Sequence, residues 1–502
     1  MNFVIRVDGC ATMGGGHIMR CLTLAKAAQG RGHKVTFVCA QNELTNLVSN
    51  AGFDLVSLSP QEFDAEPTPT HAHWLRLPWQ RDAVLTGEVA QRVQADWIIW
   101  DHYGLDARWV DRVRAMAGQI RVLAMDDLDD RDLGSDLVLD QTRILGHRTH
   151  QGEARMTGPT FALLRPEFSA LRPAALDRRE SEVRRILITP GMVDMTGLAP
   201  LALDALNDWP GKVEVIMGRT SPSLAAVEQR ISGRADRYLT LDAADMAQRF
   251  ADSDFCVGTS GMTTWERCCL GLPSVLVAVA DNQVPVAQAI AERGAAVVTT
   301  LAIAADTDQF RKVILDGIER ASDLSQRAAK MCDGSGAQHV LNCLMARLRP
   351  LGREDTQRLY DWRLSPRIRA ASLQHASFSF DSHRDWVART LARQDGVWRI
   401  YEEPDPVGFV GASDQGDGTW SWSFYIGSET ALKGAGARML TLFLKEVWKH
   451  PGCHRIKAVV LKGNTASAGL HRTLGFRQIE TTVDGQLVFM LDRPVTVSTP
   501  QG

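Results

Sequence analysis

Met13-Gly14-Gly15-Gly16-His17-Ile18-Met19-Arg20 decides the fold of the first part of the chain. It follows an apolar run, Phe3–Asp8, and opens a stretch, His17–Gln29, in which Met19, Leu22, Leu24 and Ala25 recur with helical spacing. Strand, glycine turn and helix make the first βα unit of a parallel sheet. Three glycines let the backbone approach a ligand and expose its N–H groups. The spacing is not G-x-G-x-x-G, because Met19 stands at the last glycine, so a dinucleotide site is disfavoured. His17 falls at a helix N-terminus, where the dipole disfavours an imidazolium and leaves a neutral ring able to take a proton. Arg20, three residues on, shares its face. An ordinary glycine turn beside a surface histidine would carry the same residues.

The βα rhythm continues outward. Lys34–Cys39, Trp97–Trp100 and Arg121–Met125 read as strands, then Arg185–Thr189, Val213–Met217, Phe255–Val257 and Val275–Val277. Two parallel sheets follow, with mixed-charge Arg172–Arg185 as the linker between them and Gln338–Arg347 as a closing helix. Asp8, Asp101-His102-Tyr103 and Asp126-Asp127 end strands, where an open α/β sheet keeps its ligand crevice. The same aspartates also serve as helix caps and turn formers. Gly258-Thr259-Ser260-Gly261-Met262-Thr263-Thr264-Trp265-Glu266 places a Gly/Ser/Thr loop at a helix N-terminus, a cradle for phosphate. Glu266, one turn in, can accept hydrogen bonds from ribose hydroxyls.

Beyond Leu348 the pattern changes. A helix near Glu354–Trp362 precedes strands Trp398–Tyr401, Val407–Ala412 and Trp420–Ile426. A glycine turn, a helix to Lys449, strand Arg455–Val460, helix Ala466–Leu474 and strand Leu487–Leu491 complete an α+β domain. Trp420, Trp422 and Phe424 alternate with serines, giving one aromatic strand face. His383 and Trp386 share a helical face.

Composition bounds the chemistry. With 502 residues, 45% apolar and 23% charged, the chain is an ordinary globular protein of two or three domains. A net charge of -3, from 56 basic and 59 acidic residues, gives no reason to expect nucleic acid or a membrane surface as partner. The N-terminus lacks the pattern of a signal peptide, and no apolar run is long enough to span a membrane. Nine cysteines without a C-x-x-C pair fit free thiols in a reducing cytoplasm, with neither a disulfide framework nor a metal site.

Four separated motifs carry a resemblance over roughly residues 1–345. G-G-G-H-x-M-R-C-L-T-L-A, D-H-Y-G-L-D-A-R-W, L-L-R-P-E-F and T-T-W-E-R-C-C-L-G-L-P-S, followed by Asp281-Asn282-Gln283, resemble the UDP-2,4-diacetamido-2,4,6-trideoxy-β-L-altropyranose hydrolases of pseudaminic acid synthesis. The resemblance implies a GT-B-like pair of Rossmann-like domains, as in MurG, spanning 1–175 and 176–345. It implies metal-free, inverting release of UDP by water, with His17 catalytic and Glu266 on the nucleotide. Asp8, Gly15, Gly16, Arg20, Asp101, Tyr103, Asp194, Gly258, Ser260, Gly261, Thr263, Asn282 and Gln283 complete the expected substrate site. Where the family has Phe-Gly-Gly-x-Asp, this chain reads Pro190-Gly191-Met192-Val193-Asp194.

The last region, 346–502, resembles the acetyl-CoA-dependent N-acetyltransferase (GNAT) superfamily, most closely enzymes acting on 4-amino nucleotide sugars. The resemblance rests on Tyr425-Ile426-Gly427, Leu432-Lys433-Gly434-Ala435-Gly436-Ala437, Asn464, Ser467 and Leu474-Gly475-Phe476. It implies that Tyr425, Ile426, Lys433, Gly434, Ala435, Gly436, Ala437, Asn464 and Ser467 hold acetyl-CoA, and that His471 donates the proton to the CoA thiolate in place of the usual tyrosine. Ala431 stands where the loop motif commonly opens with Gln or Arg. Together the resemblances imply a cytoplasmic bifunctional enzyme acting on UDP-linked 2,4-diamino-2,4,6-trideoxy sugar derivatives. The alternatives are a GT-B glycosyltransferase and a UDP-sugar-binding protein with an inactive GNAT domain.

Overall fold

The computed structural model describes residues 1–9, 15–42, 44–142, 154–261, 263–279, 283–373 and 378–494. Asn282, expected at the substrate, lies outside them, as do Cys10, Met13, Gly14 and Asp281. The first sheet holds β1 (Asn2–Val7), β2 (Lys34–Ala40), β3 (Asp54–Leu58), β4 (Trp97–Asp101), β5 (Arg121–Met125), β6 (Leu137–Asp140) and β7 (Ala154–Thr157), in the order β3-β2-β1-β4-β5-β6-β7. The second holds β8 (Arg185–Thr189), β9 (Lys212–Met217), β10 (Arg237–Leu241), β11 (Phe255–Thr259), β12 (Ser274–Ala278) and β13 (Val297–Thr300), in the order β10-β9-β8-β11-β12-β13. β1 pairs in parallel with both β2 and β4, and β8 with both β9 and β11. Central strands of such sheets are covered on both faces, and β4 and β11 are buried along their whole length.

In each sheet the chain order reverses beside the first strand, between β1 and β4 and between β8 and β11. The crevice outside the strand ends at such a reversal is where an open α/β sheet binds its ligand. The His17 turn follows β1 and Asp101 ends β4; the Gly191 loop follows β8 and Ser260–Glu266 follows β11.

The stretch expected to be a linker is instead packed. Pro166–Asp177 is α-helical and Arg178–Glu180 continues as a 3-10 turn. Arg179 is buried, donating from Nε to the Leu270 carbonyl at 3.0 Å and from its other nitrogens to Ser253 and Phe250. Arg172 likewise donates to the carbonyls of Cys269, Cys332 and Ala329. Charge reads as solvated in a sequence, yet a guanidinium with five donors can close the ends of several helices and loops at once. The expected closing helix also ends early, at Leu344, and Arg347–Pro350 is a strand, β14.

The third sheet adds β15 (Gly396–Glu402), β16 (Pro406–Asp414), β17 (Thr419–Ile426), β18 (Arg455–Val460), β19 (Arg477–Thr481) and β20 (Leu487–Asp492) to β14, in the order β14-β15-β16-β17-β18-β20-β19. Its described neighbours are antiparallel except β17 and β18, which run parallel and pair only from Thr419–Ser421 to Arg455–Lys457. One face buries Trp420 and Trp422 against Met439, Leu440 and Phe443 of helix Ala435–Val447. Each such large apolar side chain contributes about 1.5–3 kcal/mol on burial. The other face sets Phe409 and Tyr425 against Leu359, Trp362 and Trp386.

The chain separates into two compact units. One contains Met1–Arg131 and Thr157–Val340, and the other contains Leu341 onward with the short stretch Asp132–Val138. Among the described residues, no helix is long and apolar enough to cross a membrane. The eight described cysteines are buried free thiols.

Candidate functional site

Helix Gly16–Gly30 begins immediately after Gly15, so His17 and Arg20 occupy its first turn. Both point at Asp101, the last residue of β4. His17 Nδ1 lies 2.6 Å from Asp101 Oδ1, while Arg20 grips the same carboxylate through Nε and Nη2, each at 2.6 Å. Arg20 Nη1 reaches Asp127 Oδ2 at 2.5 Å, and the Tyr103 hydroxyl donates to that same oxygen at 3.0 Å. The Tyr103 ring meets His17 edge-on, centroids 4.8 Å apart. Burial opposes ionisation of Asp101, but Arg20 and His17 outweigh it and hold the carboxyl well below its ordinary range. A carboxylate can only accept, so it selects the Nδ1–H tautomer and leaves the His17 lone pair on Nε2. Among the described residues, Cβ atoms built at Gly15 and Gly16 would meet nothing within 4 Å.

Asp8 does something else. Arg6 holds it at 2.6 and 2.8 Å, the Ala40 amide donates to it at 2.7 Å, and Asp82 takes the rest of the Arg6 guanidinium. At 2% exposure it anchors β1 to β2 from within. His102 joins the same interior, 3.5 Å from Asp8, and burial pushes its ring down to about 4 despite that carboxylate. Trp74 was not legible as a site residue. It arrives from a loop with no motif, stacks on Tyr103 at 5.8 Å and stands 6.5 Å from His17.

In the second Rossmann-like domain, Glu266 sits in the first turn of helix Thr263–Cys269, where Thr263 is the opening residue. Arg165, from the L-L-R-P-E-F motif, lies 3.8 Å from it, a partner that sequence reading left unassigned. Burial pushes the Glu266 carboxyl up to about 7 against the pull of Arg165 and Arg267. Ser260 donates to Gln283 at 3.4 Å, and Gln283 also accepts from the Val279 amide at 3.3 Å, tying the two loops together. Gly261 lies 4.0 Å, by its would-be Cβ, from the Gln283 amide nitrogen. Gly258 has a packing reason: a Cβ there would stand 2.6 Å from Thr189 Oγ1 and 2.7 Å from Arg267 Nη1. Asp194 is likewise spent within the fold. Its oxygens accept from the Leu198 and Ala199 amides at 2.9 and 3.0 Å and from Ser223 at 2.7 Å, capping helix Leu198–Ala205.

In the second unit, Gly434 adopts φ +84° and caps helix Ala435–Val447, whose first residues are Ala435, Gly436 and Ala437. Arg438 fixes the preceding turn by donating to the Lys433 carbonyl at 2.9 Å while Glu403 binds it at 2.6 Å. Gly436 faces Leu470, 3.3 Å from its would-be Cβ, across to helix Thr465–Thr473. Asn464 caps that helix by accepting from the Ser467 amide at 3.0 Å. Ile426 and Tyr425 belong to the part of β17 beyond its pairing with β18, and they face opposite sides of the sheet.

His471, expected to serve the CoA thiolate, has both ring nitrogens engaged inside the domain. Its Nδ1 donates to the Ser467 carbonyl at 2.7 Å, and its Nε2 accepts from Trp422 Nε1 at 3.2 Å. Phe476, Phe424 and Phe489 close around the ring, which is 1% exposed. Burial lowers its affinity for a proton, opposed by the Ser467 carbonyl. The single proton of this neutral imidazole is held on the Ser467 carbonyl, and its other nitrogen is held by the Trp422 indole. The aromatic face of Trp420, Trp422 and Phe424 belongs to this same core.

Residues 346–477 match the acetyltransferase (GNAT) domain family. The chain is 23% identical over 307 residues to the spore coat polysaccharide biosynthesis protein SpsG of Bacillus subtilis, covering 59% of this chain and 83% of that one. It is 21% identical to the uncharacterized protein MJ1062 of Methanocaldococcus jannaschii, over 97% of this chain and 99% of that one. The crystal structure of MurG from Acinetobacter baumannii superposes with a TM-score of 0.50 at 15% identity, covering 68% of this chain and 98% of MurG. A GT-B-like pair of Rossmann-like domains followed by a GNAT domain is therefore the architecture of the chain.

Proposed function

We propose that the protein is a bifunctional nucleotide-sugar enzyme of bacterial surface-sugar synthesis, working in the cytoplasm, with domain boundaries near residues 175 and 345. Its GNAT domain acetylates the 4-amine of a UDP-linked 2,4-diamino-2,4,6-trideoxy sugar derivative with acetyl-CoA. Its GT-B-like part then hydrolyses the diacetamido product, UDP-2,4-diacetamido-2,4,6-trideoxy-β-L-altropyranose.

The observation that carries the hydrolase reading is the His17–Asp101 pair at the reversal of the first sheet. Asp101 orients the ring and offsets the charge it acquires; Nε2 takes a proton from water as the water oxygen bonds to the anomeric carbon. The bond from that carbon to the diphosphate oxygen breaks with inversion, and UDP leaves as an anion. Backbone amides at the opening of helix Thr263–Cys269 and the Arg165 guanidinium are the groups suited to receive that charge. Glu266 is suited to the ribose hydroxyls. UDP is a good leaving group, so a second carboxylic acid need not protonate it, and no metal is required.

In the GNAT domain, the turn Lys433–Gly434 and the amides opening helix Ala435–Val447 are suited to the CoA diphosphate. Incubating the full chain with the 4-amino and 4-acetamido UDP-sugars, with and without acetyl-CoA, tests both halves by mass spectrometry. Acetyl gain on the first and UDP release from the second are expected. A second reading, a GT-B glycosyltransferase, is favoured by the likeness to MurG; it predicts little UDP release until an acceptor is added.

A further inference from the structure

On the face of the third sheet away from helix Ala435–Val447, polar groups without partners gather in an aromatic setting. Arg363, on helix Thr356–Leu364, lies with its guanidinium carbon 4.7 Å from the Phe378 ring centre and 5.8 Å from that of Trp386. Among the described residues no carboxylate is within ion-pair distance of it. His383, on helix Phe380–Ala392, is 2% exposed; its ring stacks on Trp386 at 5.3 Å and is flanked by Phe378 and Tyr360. Its Nε2 is buried with no hydrogen-bond partner. The Tyr425 hydroxyl, on β17, is buried and unpartnered too, with its ring beside Phe409 and Trp362.

Buried polar atoms are nearly always satisfied, so each exception calls for a partner, a water or a bound ligand among them. Here two stand in one aromatic cluster, and the Arg363 charge bears on both. Burial, with Arg363, pushes His383 down to about 4, so its ring is neutral near pH 7. Burial raises the Tyr425 phenol, which keeps its proton. The cluster therefore offers one permanent cation, one neutral imidazole, one O–H group and several aromatic faces. Tyr425 also lies in the part of β17 that has parted from β18, so the cluster borders the gap in the sheet.

We propose that the side chains of Arg363, His383 and Tyr425, the last of which the sequence led us to expect on acetyl-CoA, form the acceptor subsite of the GNAT domain. Arg363 takes a phosphate oxygen of the acceptor, and polar groups of the acceptor satisfy His383 Nε2 and the Tyr425 hydroxyl. This rests on the acetyltransferase reading of the domain and deepens it. An ammonium beside an unpaired guanidinium is repelled, so the reacting amine lies outside the cluster and the phosphates lie within it. The subsite thereby selects nucleotide-linked amino sugars over the same amine without its nucleotide, and over polycationic amines.

The test uses the full chain and acetyl-CoA, with three acceptors: the 4-amino UDP-sugar, the amino sugar freed of UDP, and a cationic aminoglycoside. Wild type should prefer the first in kcat/KM. Arg363→Gln should raise the KM for the UDP-linked acceptor by about 10–100-fold, the worth of a charge-assisted hydrogen bond, with kcat and the KM for acetyl-CoA unchanged. Tyr425→Phe, which removes one oxygen and keeps the packing, should raise it by roughly 3–10-fold. An unchanged preference in Arg363→Gln overturns the proposal, and so does a raised KM for acetyl-CoA, which would place Arg363 on the cofactor. Should wild type acetylate no amine, the acetyltransferase reading fails separately. Calorimetric titration with the 4-amino UDP-sugar then decides the subsite: a second binding equivalent lost in Arg363→Gln supports it, and equal stoichiometry overturns it.

Discussion

His17 and His471 are both buried histidines on helices, and the structure gives them opposite chemistry. His17 has one nitrogen on a carboxylate, Asp101, inside a network of charges that includes Arg20 and Asp127. Its ring meets Tyr103 and Trp74 edge-on. His471 has one nitrogen on a carbonyl and the other on an indole N–H, inside a shell of rings. The difference teaches that a histidine's usefulness as an acid or base depends on the nitrogen left over. A hydrogen bond to a carboxylate at one nitrogen readies the other for proton transfer, whereas two neutral hydrogen bonds turn the ring into a packing element.

The comparison breaks most visibly at His17. His17→Ala should cut UDP release by about two to four orders of magnitude with substrate binding nearly intact, the worth of a positioned base. Steady-state kinetics with the diacetamido substrate measures this, and near-normal turnover would remove His17 from the chemistry. At His471 the effect should appear in stability instead. His471→Phe strips a partner from the Trp422 indole and should lower the unfolding free energy by about 1–3 kcal/mol, read by denaturant titration. Acetyl transfer per folded molecule should hold; a lost rate without lost stability would restore His471 as a proton donor.

The smallest effect tests a third buried group by pH. Glu266 has its carboxyl raised to about 7 from an ordinary 4.5, so the folded protein holds a proton there that the unfolded chain gives up. Stability from that proton is full below the unfolded value and is lost as pH rises through the folded one. Glu266→Gln should therefore unfold at a higher temperature relative to wild type as pH rises from about 5 to about 8, by a few degrees. A difference independent of pH would mean that Glu266 does not titrate in this interval.

Much of the fold was legible because central strands are continuous apolar runs. Arg185–Thr189, Arg121–Met125 and Arg455–Val460 read from the sequence with the bounds the structure gives. The strands not read were mostly edges. β3, β7, β10, β13 and β19 each end a sheet, and β19 is exposed at every residue. An edge strand buries too little to write an apolar run or a clean alternation. The site divides on similar lines. The His17 turn and the Ser260–Glu266 loop announce themselves by glycine and hydroxyl residues before a helix. The Asp101 contact joins residues 84 apart in the chain, and Arg165 reaches Glu266 from just before helix Pro166–Asp177, about a hundred residues earlier. Asp8 follows a strand and Asp194 closes a loop motif, and in either place a carboxylate has the same letter whether it faces a ligand, an Arg6 or a helix N-terminus. Only three-dimensional neighbours separate the two.

Gly427, just past β17, carries a constraint of a different kind. A Cβ on it would fall 1.9 Å from Cδ2 and 2.3 Å from Cγ of Trp362, so the whole indole or its helix would have to move. The two positions should therefore vary together. A relative with alanine at 427 should carry a small residue at 362, and one that keeps the tryptophan should keep the glycine. Because Arg363 follows Trp362 directly, this close contact also sets how near the helix that presents its guanidinium comes to the end of β17.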